Sequence, residues 1–234
     1  MTGRINGVFV TGTDTEIGKT FVSTALVTAA RSQGLRVGVM KPVASGAERT
    51  PAGLRNEDAL ALMAAAGESD YEATNPYCFE PPISPHLAAA EAGIEIDLRR
   101  IVALAHDRAI NCDWLVVEGA GGWRAPLGPG QSIADLAQAI GLPVLLVVGL
   151  RLGCLNHAVL TAEAIRHSGI TLAGWIGNRI NPTLSRSEEN LATLESLLGV
   201  PPLAVFPHSA DDPTRLRLGR QALDRLVVGK KNSV

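Results

Sequence analysis

The sequence predicts a single α/β domain in which two layers of helices cover a mainly parallel central sheet. Two observations predict this three-layer class: six short runs are apolar through their whole length, and longer amphipathic stretches separate them. A strand that is covered by helices on both faces is apolar at every position rather than at alternate positions. Since no linker, repeat or low-complexity block interrupts the alternation, one domain is expected over residues 1–234.

The individual elements follow from the same pattern. Strands are predicted at 6–12, 35–42, 113–122, 143–149, 171–180 and 202–207. Helices are predicted at 19–34, 56–66, 98–110, 133–140, 155–168, 187–198 and 213–228. The proline-rich segment 67–86 is expected to be irregular. Because ligands of such sheets bind beyond the carboxyl ends of the strands, function is expected at 11–19, 41–45, 118–123, 150–154, 178–181 and 207–211.

The composition excludes several classes of function. Hydrophobic residues make up 46% of the 234-residue chain and charged residues 19%, which is typical of a globular protein. The net charge of -2 gives no electrostatic reason to expect a nucleic acid or an acidic membrane as partner. The longest apolar run, at 142–150, is too short to cross a bilayer. Cys78, Cys112 and Cys154 have neither disulfide nor metal spacing, which favours a reducing, cytoplasmic compartment.

The stretch GTDTEIGKT at 12–20 predicts a phosphate-binding loop. It follows a predicted strand and opens a predicted helix, so its backbone N–H groups and the helix dipole form an anion site. Lys19 can reach the outer phosphates of a nucleotide, and the Thr20 hydroxyl can bind Mg²⁺. The usual loop has four residues between its first glycine and Gly-Lys-Thr, whereas five separate Gly12 from Gly18 here.

A magnesium ion beside the phosphates needs further oxygen ligands, and carboxylates usually supply them. Glu118 ends the apolar strand WLVVEG, where a buried carboxylate needs a cationic partner. Asp58 is a second candidate at the start of a predicted helix, although an acidic residue there is also favoured by the helix dipole. Its neighbour Glu57 has the same chemistry, and the residues alone do not choose between the two.

Three other strand ends carry polar groups. Lys41 closes the second predicted strand and could place a second positive charge on a transferring phosphoryl group, with Ser45 just beyond it. Asn178 ends the strand TLAGWIGN and could bind the edge of a base, although asparagine is also common in turns. The stretch RLGCLNH at 151–157 opens a helix whose N–H groups could hold a carboxylate.

These motifs together resemble the dethiobiotin synthetases, the P-loop enzymes that close the ureido ring in biotin synthesis. The resemblance spans most of the chain, and the five-residue spacing of the phosphate loop is itself a feature of that family. It rests on seven segments in register: FVTGTDTEIGKT (9–20), MKPVASG (40–46), LRNEDALAL (54–62), NPYCFEPPISPH (75–86), VVEGAGGW (116–123), LPVLLVVGLRLGCLNHA (142–158) and LAGWIGN (172–178).

The resemblance implies a reaction and a set of site residues. Enzymes of this family convert 7,8-diaminopelargonate and CO2 to dethiobiotin with MgATP. The reaction passes through a carbamate and a carbamic–phosphoric anhydride, and the enzymes work as homodimers. It implies that Lys19 and Lys41 are catalytic and that Thr20, Asp58 and Glu118 bind Mg²⁺, which favours Asp58 over Glu57. The implied ATP-binding residues are Thr15, Glu16, Ile17, Gly18, Lys19, Thr20, Asp58, Glu118, Asn178 and Pro207. The implied substrate-binding residues are Thr13, Lys41, Ser45, Gly121, Gly153, Cys154 and Asn156, the last three across the dimer interface.

The main alternative is a P-loop switch ATPase of the partitioning or metal-carrier type. Such loops often carry an additional lysine near their start, where this chain has Thr13 and Asp14. A synthetase with a glutamine-hydrolysing domain and a nucleotide-binding module without chemistry are two further alternatives. The one clear departure from the synthetase pattern is Arg151, which stands where a lysine is expected.

Overall fold

A computed structural model describes residues 5–231. Its main sheet has six strands in the order β12-β11-β10-β1-β7-β2, and neighbouring strands are all parallel. The strands are β1 (Gly7–Gly12), β2 (Val37–Met40), β7 (Trp114–Gly122), β10 (Val144–Gly149), β11 (Leu172–Asn178) and β12 (Ala204–Phe206). All six predicted strands are therefore confirmed, and the predicted parallel sheet is confirmed with them.

Helices cover both faces of this sheet, as predicted. Val8 and Val10 of β1 pack in one apolar cluster, and Phe9 between them packs in another, so the two faces of the strand have separate cores. Each predicted helix is present within one or two residues at most ends, and the helices are α1 (Lys19–Ser32), α2 (Glu57–Ala66), α5 (Leu98–Ile110), α6 (Ile133–Ile140), α7 (Cys154–His167), α8 (Ser187–Leu198) and α9 (Asp212–Lys231). No helix within residues 5–231 is long and apolar enough to cross a membrane.

The segment expected to be irregular contains short elements. Residues 67–86 include α3 (Tyr71–Thr74) and β6 (Tyr77–Cys78), and α4 (Pro85–Glu91) follows with a proline in its first turn. β6 pairs with β3 (Val43–Ala44), the continuation of the chain beyond β2. Two small hairpins complete the fold, formed by β4 (Glu48–Thr50) with β5 (Gly53–Arg55) and by β8 (Pro126–Gly128) with β9 (Gln131–Ser132).

The strand order decides where the functional segments meet. β1 lies between β10 and β7, and β2 lies on the other side of β7. Parallel strands end at the same edge, so the loops after β1, β7 and β2 become neighbours there. The segments 11–19, 118–123 and 41–45 therefore form one continuous surface.

Candidate active site

The loop between β1 and α1 is held by the packing of one buried side chain. Ile17 is 1% exposed and lies against two glycines that end neighbouring strands. A Cβ atom would lie 2.8 Å from Ile17 Cδ1 at Gly12 and 2.7 Å from Ile17 Cγ2 at Gly149. Both distances are below normal contact, so a side chain at either position would displace Ile17. Within the loop, Glu16 has a φ of 57°, in the left-handed region.

Asn178 at the end of β11 holds the backbone of the same loop at Ile17. Its amide Nδ2 donates a hydrogen bond of 2.9 Å to the carbonyl of Ile17, and the side chain is buried. A Cβ atom on Gly18 would lie only 2.1 Å from that Nδ2. Gly18 also has a φ of 83° at the N-cap of α1, so both space and backbone conformation require glycine.

Lys19 and Thr20 begin α1 and point into the site. Lys19 is 7% exposed, and its Nζ donates to the backbone oxygen of Asp14 at 2.9 Å. Burial, and then the positive charge of Lys41, lower the pKa of Lys19 to about 8. The Thr20 hydroxyl donates to Glu118 Oε1 at 2.7 Å. The start of α1 is thereby joined directly to β7, which continues to Gly122 and does not end at Glu118 as expected.

A buried lysine between two carboxylates lies at the centre of the site. Lys41 Nζ lies 2.6 Å from Glu118 Oε1 and 2.9 Å from Asp58 Oδ2. The side chains of Lys41 and Glu118 are 4% and 0% exposed, whereas that of Asp58 is 44% exposed. Burial opposes the charge of Lys41, but the carboxylates of Glu118 and Asp58 outweigh it and raise the pKa of Lys41.

The phase of α2 distinguishes Asp58 from Glu57. Asn56 caps this helix by accepting a hydrogen bond from the backbone N–H of Ala59, which fixes the first turn. Asp58 then faces Lys41, and Glu57 is exposed. Burial would raise the pKa of Asp58, but Lys41, the Thr20 hydroxyl and Lys19 lower it. Asp58 therefore carries a negative charge at neutral pH.

The oxygen atoms gathered here fit a divalent cation. Glu118 Oε2 is buried and has no hydrogen-bond partner among residues 5–231, although its other oxygen accepts two. A carboxylate oxygen without a partner is costly in the interior, and a cation is one group that would satisfy it. The Thr20 hydroxyl and the Asp58 carboxylate supply the further hard oxygen ligands that Mg²⁺ requires.

The remaining predicted residues of this edge surround the loop. Thr13 donates its backbone N–H to Val147 in β10, and Thr15 is exposed at the loop tip. Gly121 has a φ of 63°, and a Cβ atom there would lie 3.7 Å from Thr15 Oγ1. Ser45 follows β3, and its hydroxyl is buried without a partner in the described part of the chain. All of them belong to the surface formed by the ends of β1, β7 and β2.

The helix start after β10 lies beside the loop. Gly153, with a φ of 93°, is the N-cap of α7, Cys154 is buried, and Asn156 is exposed. Arg151 just before it forms an ion pair with Asp14 of the phosphate loop. This pair gives Arg151, the departure from the synthetase pattern, a contact in the site.

Pro207 follows β12 directly, and it is exposed. Its neighbour Phe206 packs edge-on against Phe21 of α1, with ring centroids 5.7 Å apart. The ends of β11 and β12 are joined by a hydrogen bond from the Arg179 N–H to the Phe206 carbonyl. Asn178 and Pro207 therefore lie near one another, as their places on adjacent strands predict.

Four residues that contact the site were not predicted individually from the sequence. Asp14 accepts from Lys19 and pairs with Arg151, and its carboxylate also accepts from the Thr15 N–H at 2.8 Å. The other three support Lys41 and α2 from behind; they are Asn56, Tyr71 and Asn75. Two quoted segments of the sequence pointed toward two of them: LRNEDALAL includes Asn56, and NPYCFEPPISPH includes Asn75.

Fold and site together define a P-loop nucleotide-binding protein. A family model described as an AAA domain matches residues 6–212. An ATP-dependent dethiobiotin synthetase of Pseudomonas paraeruginosa is 55% identical over 208 residues, which cover 87% of this chain and 90% of that protein. The Escherichia coli K12 synthetase is 47% identical over 215 residues, with coverage of 91% and 95%. The chain belongs to the family of ATP-dependent dethiobiotin synthetases.

Solved structures of low sequence identity share the fold. The MinC:MinD cell division protein complex of Aquifex aeolicus aligns with a TM-score of 0.57 and 14% identity, over 98% of this chain and 97% of that chain. A ParA family ATPase of Chlorobium tepidum aligns with a TM-score of 0.56 and 16% identity, over 95% and 92%. These likenesses show the P-loop α/β fold alone, whereas the synthetases match across the sequence, so the switch ATPase alternative is not favoured.

Proposed function

We propose that this chain makes dethiobiotin from 7,8-diaminopelargonate, CO2 and ATP, releasing ADP and phosphate. The observation that carries the proposal is the buried Lys41, held by Glu118 and Asp58 next to the phosphate loop. A P-loop that only binds and releases a nucleotide does not need a second buried lysine there. Membership of the synthetase family supports the same reaction.

The proposed chemistry needs positioning and positive charge rather than a protein nucleophile. One amine of the diamine attacks CO2 and loses a proton, which gives a carbamate anion. A carbamate oxygen then takes the γ-phosphoryl group and ADP leaves, which gives a carbamic–phosphoric anhydride. The second amine attacks the carbonyl carbon, phosphate leaves, and the ureido ring closes. Lys19 and Lys41 are placed to offset the repulsion between an anionic carbamate and a triphosphate.

We propose that Thr20, Asp58 and Glu118 hold the magnesium ion that accompanies ATP. When bound, such an ion supplies positive charge beside the phosphate oxygens and so favours transfer to an anionic acceptor. The buried Oε2 atom of Glu118, without a partner within residues 5–231, supports this assignment. Because Asp58 and Glu118 would then bind the ion, Lys41 would be held less tightly by these two carboxylates and could turn toward the carbamate.

The other predicted residues are assigned by their places around this centre. The loop residues Thr15 to Thr20 would bind the phosphates, and Asn178 with Pro207 would bind the adenine. Thr13, Lys41, Ser45 and Gly121 would bind the diamine and its carbamate. The hydroxyl of Ser45, buried and unpartnered within the described chain, supports its role, because a bound substrate would satisfy it.

We propose a homodimer in which Gly153, Cys154 and Asn156 hold the carboxylate of a substrate bound to the partner. Two large exposed apolar side chains, one just before α7 and one near its middle, support an interface there. Leu152 is 92% exposed and Leu160 is 57% exposed, so covering them would remove apolar surface from water. We also propose that residues 1–234 form one domain and that the enzyme works in the cytoplasm, where its three free cysteines would stay reduced.

The test is phosphate release from MgATP with bicarbonate, in the presence and absence of 7,8-diaminopelargonate. Phosphate that appears only with the diamine supports the proposal. Phosphate release at the same rate without the diamine would contradict it and would favour a switch ATPase. Lys19→Ala and Lys41→Ala should each nearly abolish the diamine-dependent rate, and Glu118→Gln should weaken binding of the magnesium–nucleotide complex.

A further inference from the structure

A buried hydrogen-bond network lies behind the active site and joins two of the elements that carry its side chains. We call it the Tyr71 network, and it consists of Asn56, Tyr71 and Asn75, which are 7%, 7% and 1% exposed. The Tyr71 hydroxyl accepts a hydrogen bond of 2.7 Å from the backbone N–H of Asn56 and donates one of 2.9 Å to Asn75 Oδ1. One hydroxyl thus links the start of α2 to the segment before β6.

The Asn75 end of the network holds the backbone of Lys41. The Asn75 amide donates to the Lys41 carbonyl at 2.6 Å and to the Tyr77 carbonyl at 3.3 Å, so both of its hydrogens are used. The Lys41 N–H donates to the Thr74 carbonyl at 2.8 Å. Both the N–H and the carbonyl of Lys41 are therefore held by hydrogen bonds. These bonds are needed because Lys41 lies just beyond the end of β2, where the pairing of β2 with β7 has stopped.

The Asn56 end holds the elements that carry Asp58 and Ser45. Asn56 is the N-cap of α2, so its position sets where Asp58, two residues later, projects. The Asn56 amide also donates to the Ser45 carbonyl at 3.3 Å. Three predicted site residues are therefore attached to this network through their backbones, although none of its members touches the phosphate loop in any hydrogen bond between described residues.

We propose that the Tyr71 network is the positioning device that sets Lys41 against Asp58, with Tyr71 as its central residue. The contact it controls is the 2.9 Å pair between Lys41 Nζ and Asp58 Oδ2. Asp58 is half-exposed and comes from a different element than Lys41, so the pair alone does not fix the helix. A fully satisfied buried network is rigid, and rigidity behind a reacting group is what near-attack geometry requires.

The test replaces the hydroxyl and keeps the ring. Tyr71→Phe removes the link between Asn56 and Asn75, and the matched control is Tyr77→Phe. Tyr77 is 5% exposed, and its hydroxyl accepts from the Asp97 N–H at 3.0 Å; no hydrogen bond between described residues joins that hydroxyl to Lys41 or α2. Tyr71→Phe breaks the two hydrogen bonds to Asn56 and Asn75, whereas Tyr77→Phe breaks one, so Tyr71→Phe should lose more thermal stability, and turnover is therefore compared per folded molecule.

The inference rests on the proposed function, so turnover is measured first on the wild-type enzyme as the diamine-dependent release of phosphate. Per folded molecule, Tyr71→Phe should lower kcat by about 10- to 100-fold, because Lys41 and Asp58 are misplaced. KM for the diamine should change less than about threefold, because Thr13 and Gly121 have no hydrogen bond to the network among the described residues and still bind the diamine. Tyr77→Phe should keep the wild-type kcat. Equal kcat values for the two variants would overturn the proposal.

A binding measurement separates this inference from the proposed reaction. Calorimetry of ADP with and without Mg²⁺ reports on Asp58 and needs no turnover. Tyr71→Phe should weaken binding of the magnesium complex several-fold and leave metal-free ADP unchanged, and an unchanged ratio would contradict the network even if wild-type makes no dethiobiotin. Should Tyr71→Phe fail to fold, Asn75→Ala breaks the same network from its other end, because the Asn75 side chain joins the Tyr71 hydroxyl to the Lys41 carbonyl. A wild-type kcat and binding ratio in Asn75→Ala would refute the proposal.

Discussion

Replacing Lys41 by methionine tests the buried pair at the centre of the site. Methionine keeps the unbranched chain and removes the ammonium group that lies 2.6 Å from Glu118 Oε1. Glu118 is 0% exposed, so its carboxylate would remain in the interior with the Thr20 hydroxyl as its remaining side-chain donor. The pair with Asp58 adds little to the loss, because the Asp58 side chain is 44% exposed.

The expected magnitude follows from that burial. Removing one partner of a buried ion pair costs about 3–5 kcal/mol, because the other charge is left uncompensated. For a chain of this size such a loss lowers the melting temperature by about 6–20 °C. Lys41→Met should therefore be clearly less stable than the wild type at neutral pH, in addition to losing turnover.

The assay is urea unfolding of four proteins: wild type, Lys41→Met, Glu118→Gln and the double variant. The double variant should lose less free energy of unfolding than the sum of the losses in the two single variants. The difference is the coupling free energy of the pair, expected at about 0.5–3 kcal/mol. If Lys41→Met lies within about 1 kcal/mol of the wild type, or if the two single losses simply add, then Lys41 and Glu118 do not form the pair described here.

Three further predictions concern the loop, its lysine and the interface. Gly18→Ala should weaken nucleotide binding by about tenfold or more, because the new Cβ would meet the Asn178 amide and the φ is strained for alanine. The control is Gly34→Ala: Gly34 has a similar φ of 85°, but no atom lies within 4 Å of a Cβ there, so this variant should bind the nucleotide normally. Lys19 has a pKa of about 8 and should regain its proton on a bound triphosphate, so affinity should fall as pH rises through about 8. Calorimetry near that pH in two buffers should report proton uptake, and no uptake would contradict the assignment. Leu152→Asp should convert the proposed dimer to a monomer in light scattering, and a dimer that persists in the variant would exclude this interface.

Much of the fold could be predicted because its strands lie between two helical layers. Each main-sheet strand is apolar at consecutive positions, and the helices between them have clear starts and ends, such as Asn56 before α2. The short elements of residues 43–91 gave no such signal. The strands β3, β4, β5 and β6 have only two or three residues each, which is too few for a hydrophobic period to be visible in the sequence.

The site was partly predictable for a similar reason. Gly12 ends β1, Lys19 begins α1 and Lys41 directly follows β2, so the rule for parallel sheets places all three at one edge. Glu118, expected to end its apolar strand, lies within β7, which continues to Gly122. The choice between Asp58 and Glu57 could not be made from the residues alone, because it depends on the phase that the helix cap imposes.

The polar contacts behind the site could not be predicted from the residues at all. The pair between Arg151 and Asp14 joins residues 137 positions apart, and the bond between Asn75 and Lys41 spans 34. Single hydrogen bonds between distant residues leave no periodicity and no motif in the sequence. They become visible only once the strand order has brought the segments together.

The most direct test of the central claim is to run the reaction with ¹³C-labelled bicarbonate, MgATP and 7,8-diaminopelargonate, and to compare product mass with phosphate released. If the chain is a dethiobiotin synthetase, the dethiobiotin formed should carry the label in its ureido carbonyl, with an equimolar amount of phosphate. Phosphate released without labelled dethiobiotin would contradict the account, because the buried lysine and its two carboxylates would then serve ATP hydrolysis and not ring closure.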